Sequence, residues 1–219
     1  MISVCIATYN GELFISEQLS SILSQLGEYD EVVISDDQSS DRTLEIIAEL
    51  NDPRVKVFHH QRYTRHDFPL DFTTHNFENA LLHSRGDIIF LADQDDVWKS
   101  NKINVCVEEL RDYDFVICDC SVTDDNLDVV KYSYFSFMHT NLSALRNLGI
   151  CTWLGCCMAF RRNVLNAALP FPETQVAHDL WLGLVASSRF RCQMIHEPLS
   201  AYRRHQTTAS PASKKNRSS

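Results

Sequence analysis

The sequence predicts an α/β protein with a mostly parallel, doubly wound central sheet. Three observations carry that expectation. Strand-like and helix-like segments alternate through about the first 118 residues, which implies right-handed βαβ crossovers. The opening segment is apolar at every position except Ser3, as suits a strand covered on both faces. Two strand-like segments run directly into acidic clusters, and in an open parallel sheet the carboxyl ends of the strands share one crevice where ligands bind.

Taken in order, residues 2–7 are the first strand, placed mid-sheet, and Thr8-Tyr9-Asn10-Gly11 breaks it. Leu13, Ile15, Leu19, Ile22, Leu23 and Leu26 then recur at helical spacing until Gly27 stops the helix. Residues 31–35 form the second strand. Ser39 or Ser40 caps the next helix, whose apolar face is Leu44, Ile46, Ile47 and Leu50, and Asp52-Pro53 ends it. Residues 54–59 form a third strand. After a polar stretch reaching Phe72, Thr74 caps a helix carrying Phe77, Ala80 and Leu81, and Gly86 closes it just before the apolar run that starts at Ile88.

Beyond Asp119 the pattern loosens. A polar, aromatic segment covers 121–139, a helix 142–148 and a short strand 156–161. The run Gly155-Cys156-Cys157-Met158-Ala159 is rich in small residues, which permits close approach of a ligand or a neighbouring backbone. A last helix starts at His178-Asp179-Leu180-Trp181. With no internal repeat and no interior linker, residues 1–210 read as a single domain divided near 118, followed by a disordered basic tail at 211–219.

Composition narrows the function classes. The chain has 219 residues and 44% hydrophobic content, enough for a real core. No apolar run approaches the roughly 18 residues needed to cross a bilayer, and the start lacks both a basic region and a small-residue cleavage site, so a cytoplasmic location is expected. Cys5, Cys106, Cys118, Cys151 and Cys192 sit among apolar residues, as reduced core thiols do. Cys118-Asp119-Cys120 and Cys156-Cys157 have the wrong spacing for structural zinc. A net charge of −9 argues against nucleic acid as a partner. The cations Arg203, Arg204, Lys214, Lys215 and Arg217 lie in a Ser-rich end that is either a solvated terminus or a contact for an anionic membrane surface.

The chemistry points to the acids. Asp93-Gln94-Asp95-Asp96 puts three carboxylates within four residues at the end of an apolar strand. Like charges side by side cost stability unless a cation or hydrogen-bond donors offset them, so the cluster is a candidate hard-metal or catalytic site, against the plainer reading of a solvated acidic turn. Residues 31–41 repeat the design with Asp36, Asp37 and Asp41.

With these segments in place, the sequence resembles the family-2 glycosyltransferases of the GT-A fold, a Rossmann-like three-layer α/β/α architecture. The resemblance is carried by four motifs in order. They are 2–11 (ISVCIATYNG), 34–43 (ISDDQSSDRT), Asn76-Phe77-Glu78-Asn79-Ala80-Leu81, and Asp93-Gln94-Asp95-Asp96-Val97-Trp98, the last similar to the DxD region of rhamnosyltransferase-like members. It covers residues 1 to about 210 and implies a nucleotide-sugar half (1–118) and an acceptor half (119–210).

By that resemblance, Thr8 and Tyr9 line the nucleotide pocket and Asp37 accepts a hydrogen bond from the base. The chemistry agrees, since uracil and thymine present an N3–H donor that a carboxylate selects. The plainer reading of Asp36 and Asp37 is a helix-capping cluster. Asp95 matches the metal-binding carboxylate, Asp93 contacts ribose or metal, and His205 is the candidate third metal ligand, for Mg²⁺ or Mn²⁺. Asp96 caps the following turn or touches the donor. Asp179 takes the place of the general base, although His178 stands where the common form has an acid; the plainer reading of Asp179 is a helix cap. Gly155 and Cys156 border the donor sugar and acceptor, and Trp153 and Trp181 either stack on sugar faces or belong to the core.

The implied activity is an inverting transfer of a sugar from a UDP- or dTDP-sugar to a saccharide or lipid-linked acceptor in surface polysaccharide synthesis, with peripheral contact at the cytoplasmic membrane face. Two alternatives stay open. Asp93 and Asp95 also fit the DxD nucleophile motif of a haloacid-dehalogenase-type phosphatase, although the motif would then stand on the first strand. The other alternative is a nucleotide-sugar-binding protein without catalysis, which has no need of a general base.

Overall fold

The computed structural model describes residues 1–61, 69–173 and 175–205. Its strands are β1 (Ile2–Thr8), β2 (Glu31–Asp36), β3 (Val55–His59), β4 (Ile88–Asp93), β5 (Val97–Trp98), β6 (Phe115–Thr123), β7 (Val129–Lys131), β8 (Met158–Arg161) and β9 (Cys192–Arg203). Helices α1 (Ile15–Leu23), α2 (Thr43–Glu49), α3 (Pro69–His83), α4 (Lys102–Glu109), α5 (Tyr134–Met138), α6 (Ala144–Gly149), α7 (Arg162–Ala168) and α8 (His178–Arg189) connect them, with a 3-10 turn at Gly155–Cys157.

All the strands share one sheet in the order β3-β2-β1-β4-β8-β6-β9-β5, with β7 beside β6. The four strands β3, β2, β1 and β4 are parallel, and β9 runs parallel to β6. The strand β8 opposes both of its neighbours and so reverses the sheet between its two halves. The strands β1, β2, β3, β4, β6 and β9 therefore point one way, and β5, β7 and β8 the other. This is the mostly parallel α/β sheet expected, made mixed by the three short strands.

Burial explains the arrangement. Every residue of β2 and β6 is buried, as for central strands covered by helices on both faces. On α1, Ile15, Leu19 and Ile22 have no exposed surface, each contributing about 1.5–3 kcal/mol on burial. The expected start of that helix at Leu13 is too early. The Gly11 carbonyl accepts from the Phe14 and Ile15 N–H groups in a tight turn, and Leu13 stays 80% exposed.

Two expected caps are also corrected. Ser39 donates its Oγ to Asp36 at 2.6 Å and Ser40 donates its N–H to Asn10 Oδ1, while Asp41 Oδ1 accepts the Thr43 N–H at the start of α2. Thr74 lies inside α3, not at its end; its Oγ1 donates to the Val176 carbonyl and accepts the His178 N–H at 3.2 Å, tying α3 to α8. The most extensive element missed by pattern is β9, twelve residues in which Glu197-Pro198 interrupts the apolar run and shifts the register against β6.

Glu31 fastens the parallel half. Its buried carboxylate accepts from Ser3 Oγ on β1, Lys56 Nζ on β3 and the Arg85 N–H ahead of β4, each at 2.7 Å. Burial alone would raise its pKa, but these bonds outweigh burial and hold it below the ordinary value. A depressed carboxylate contributes stability above its unfolded value, near 4.5, and loses it as the pH falls through the folded value. Glu31→Ala should therefore cost about 2–4 kcal/mol in urea unfolding at pH 7. The deficit should shrink at pH values below the folded pKa.

Candidate functional site

Because β2, β1 and β4 are adjacent and parallel, their carboxyl ends converge. At the end of β1 the buried Thr8 donates Oγ1 to Asp36 at 3.1 Å, and its carbonyl accepts the Asp37 N–H at 2.9 Å and Asn76 Nδ2 at 3.1 Å. The Gln94 side-chain amide grips both the N–H and the carbonyl of Tyr9, at 3.0 and 3.1 Å, while 47% of Tyr9 remains exposed. A side chain at position 11 would displace that amide, its Cβ lying 2.4 Å from Gln94 Oε1, so glycine there lets Gln94 keep its hold on Tyr9.

The two acids at the end of β2 differ. Asp36 is wholly buried and accepts from Thr8 Oγ1, the Ser39 N–H and Ser39 Oγ, so it closes its own loop. The carboxylate of Asp37, also buried, lies 3.0 Å from His60 Nδ1. His60 was missed in the sequence. The register of β2 against β3 pairs Asp36 with His59, and that pairing sets residues 37 and 60 side by side.

At the end of β4 the three aspartates separate. Asp95 Oδ2 is 2.7 Å from His205 Nε2, and the His205 ring lies over Phe14 at 4.7 Å. Thus the structure brings together the predicted pair from positions 110 residues apart. Burial of its carboxyl and then the negative charge of Asp95 push Asp93 up to about 7. Asp96 neither caps the following turn nor reaches the surface. It is fully buried, Oδ1 accepts the Arg203 N–H at 3.0 Å, Oδ2 has no hydrogen-bond partner among the described residues, and burial followed by the charges of Asp93 and Asp95 raises its pKa strongly.

Asp93, Asp96 and Cys156 each offer a ligand atom within 4.8 Å of the others. The Cys156 thiol is pushed up by its hydrogen bond to Cys157 and then by burial, and hard divalent cations take oxygen ahead of sulfur. The oxygens of Asp93 and Asp96 are the donors that suit Mg²⁺ or Mn²⁺, with the Asp95–His205 pair beside them rather than among them, and the crowding that pushes Asp93 and Asp96 up is an imbalance that a bound cation relieves.

Across from this cluster stands the first turn of α8. Asp179 accepts the Leu180 N–H at 2.7 Å, and its charge is felt at Asp93. His178 is buried; its ring stacks on Phe77 at 4.2 Å, and burial lowers its pKa against the opposing influence of Asp179. Gly155 is where this ring needs room, since a Cβ there would come within 2.5 Å of His178 Nε2. The small residues at 155–157 thus admit a neighbouring side chain. The carbonyl of Cys156 accepts from Lys102 Nζ at 2.7 Å, a wholly buried ammonium that also lies 4.4 Å from the Trp98 ring. Trp153 is buried against Gly183 and Trp181 donates to the Ala168 carbonyl, so both serve the core. The basic tail at 211–219 lies outside the described residues.

Residues 3–169 match the family model "Glycosyl transferase family 2". The chain belongs to that family. This membership sets aside the phosphatase alternative. Among curated relatives of this family 2 chain is the Escherichia coli "UDP-Glc:alpha-D-GlcNAc-diphosphoundecaprenol beta-1,3-glucosyltransferase WfgD", 28% identical over 96% of the chain and 79% of the relative. The fold matches S. aureus TarS, solved with UDP-GlcNAc, with a TM-score of 0.72 and 21% identity over 95% of the chain. It also matches a Pyrobaculum calidifontis mannosyltransferase solved with GDP-Man and Mn²⁺, with a TM-score of 0.63 and 24% identity over 90% of the chain. The family 2 chain spans only 60% and 54% of those two solved chains. No described helix is long and apolar enough to cross a membrane.

Proposed function

We propose that the protein is an inverting glycosyltransferase that moves a sugar from a UDP- or dTDP-sugar to a hydroxyl of a lipid-linked saccharide acceptor in cell-surface polysaccharide synthesis. The observation that carries this reading is the convergence of Asp37, the Asp93–Asp96 cluster and Asp179 around the carboxyl ends of β1, β2 and β4. Support for the acceptor comes from WfgD, whose name specifies an undecaprenol-linked one.

In this reading Thr8 and Tyr9 border the base, and Asp37, steadied by His60, accepts its N3–H. Asp93, with Asp95 and His205 beside it, would hold Mg²⁺ or Mn²⁺, which supplies charge neutralisation for the diphosphate. Gly155 and Cys156 border the donor sugar. Asp179 takes the proton of the acceptor hydroxyl while that oxygen bonds to the anomeric carbon, and the bond from that carbon to the diphosphate oxygen breaks on the opposite face, inverting the centre. Residues 1–118 then form the donor half and 119–210 the acceptor half of one domain, in a protein of the cytoplasm.

Calorimetric titration of UDP, dTDP and GDP, with and without Mn²⁺, tests the donor. Metal-dependent binding of UDP or dTDP with GDP at least tenfold weaker is expected. UDP or dTDP binding that Asp37→Ala leaves unchanged would remove Asp37 as base reader, and binding without turnover of any UDP- or dTDP-sugar would leave a binding protein in place of an enzyme.

A further inference from the structure

Seven of the thirteen large apolar side chains exposed among the described residues fall within residues 129–150, a tenth of the chain. Chance scatter does not concentrate them so, and patches of this kind mark interaction surfaces. Leu145, Leu148 and Ile150 are 83%, 60% and 69% exposed, Tyr132 is 84% exposed and Val130 60%. The same 22 residues contain no Asp or Glu, and exposed Lys131 and Arg146 make them locally cationic in a chain of net charge −9.

The segment is anchored from beneath. Tyr134 and Phe135 of α5 are buried, and Lys131 Nζ lies over the half-exposed Phe137 ring at 5.3 Å, joining β7 to α5. Asn147 of α6 is buried and donates to the Asn141 and Ser143 carbonyls, while its Oδ1 accepts the Thr152 N–H at 2.8 Å. On a helix so fixed, Leu145 and Leu148 share the opposite, outward face. The helix α6 packs against α8, the helix whose first turn holds Asp179.

We propose that residues 129–150 are the surface by which this protein lies on an anionic lipid bilayer, with α6 at the edge from which a lipid-linked acceptor approaches Asp179. The inference rests on the acceptor class proposed above. Its physical basis is the pairing of apolar insertion with cations, the combination that holds a peripheral protein at an interface. In a two-fold pairing of copies the patch would face itself, cation against cation, so local charge favours the anionic bilayer over that pairing.

Cosedimentation of the 219-residue chain with vesicles of phosphatidylcholine alone, or containing 30% phosphatidylglycerol, tests it. Binding to the anionic vesicles is expected. Leu145→Gln/Leu148→Gln/Ile150→Gln should lower the partition at least about tenfold, and Lys131→Gln and Arg146→Gln about fivefold each, less at high salt. Lys214→Gln/Lys215→Gln/Arg217→Gln should change it little. The proposal is overturned by no vesicle binding, by a triple apolar variant that binds as wild type does, or by complete loss in the tail variant. It also falls if light scattering shows a dimer that the apolar substitutions split without any vesicle binding. UDP titration of the same samples separates the two readings. A chain that takes UDP but ignores vesicles loses only the membrane surface, and one that takes no UDP loses the donor site.

Discussion

Asp179→Asn is expected to lower kcat by about 10²–10⁴ while UDP affinity stays within about twofold. Asn is nearly isosteric, its carbonyl oxygen can still accept the Leu180 N–H, and it cannot take a proton from an acceptor hydroxyl. The split between kcat and nucleotide binding separates a base from a helix cap, because loss of a cap alone would appear as about 1 kcal/mol of stability with turnover preserved. The neighbouring titratable group is a poor substitute. His178 stacks on Phe77, and its Nε2 is buried against Gly155. A kcat within threefold of wild type would place the base elsewhere.

Asp95→Ala should remove the Mn²⁺-dependent part of UDP binding and lower kcat/KM by about 10³, equivalent to about 4 kcal/mol of transition-state stabilisation. The fold should survive, because Asp95 is hydrogen-bonded to His205 near the end of the described chain, and the elements on either side are held by other contacts. Asp96 is different. It holds the Arg203 N–H at the end of β9, so its loss would act on the strand as well as on the site. Metal dependence that persists in Asp95→Ala would move the ion to Asp93 and Asp96.

Much of the site was legible as short motifs. Thr8 and Asp93 follow apolar runs directly and Asp37 and Asp95 come within three residues of one, and the reason is local: a strand buried on both faces has to be apolar, so a sudden polar residue marks where it leaves the sheet. His178-Asp179 was readable for a similar reason, at the start of a helical period. Less legible were contacts that depend on register. Nothing near His60 announces Asp37, and Ser39 and Ser40 looked like caps because a serine ahead of an apolar period is a good one. Their hydroxyl and amide groups were claimed by Asp36 and Asn10, residues the helix period does not include.

The sequence by itself determined the alternation of strand and helix in the first half, the family and the acidic strand ends, since these are written in neighbours along the chain. The tertiary structure alone decided where each acid lies and what it touches. It buried Asp96 under β9, left Asp95 beside His205, paired Asp37 with His60 and set Gly155 against His178. Each of those contacts spans at least 20 residues of chain, and the partners meet only once burial of the core has fixed the order of the strands.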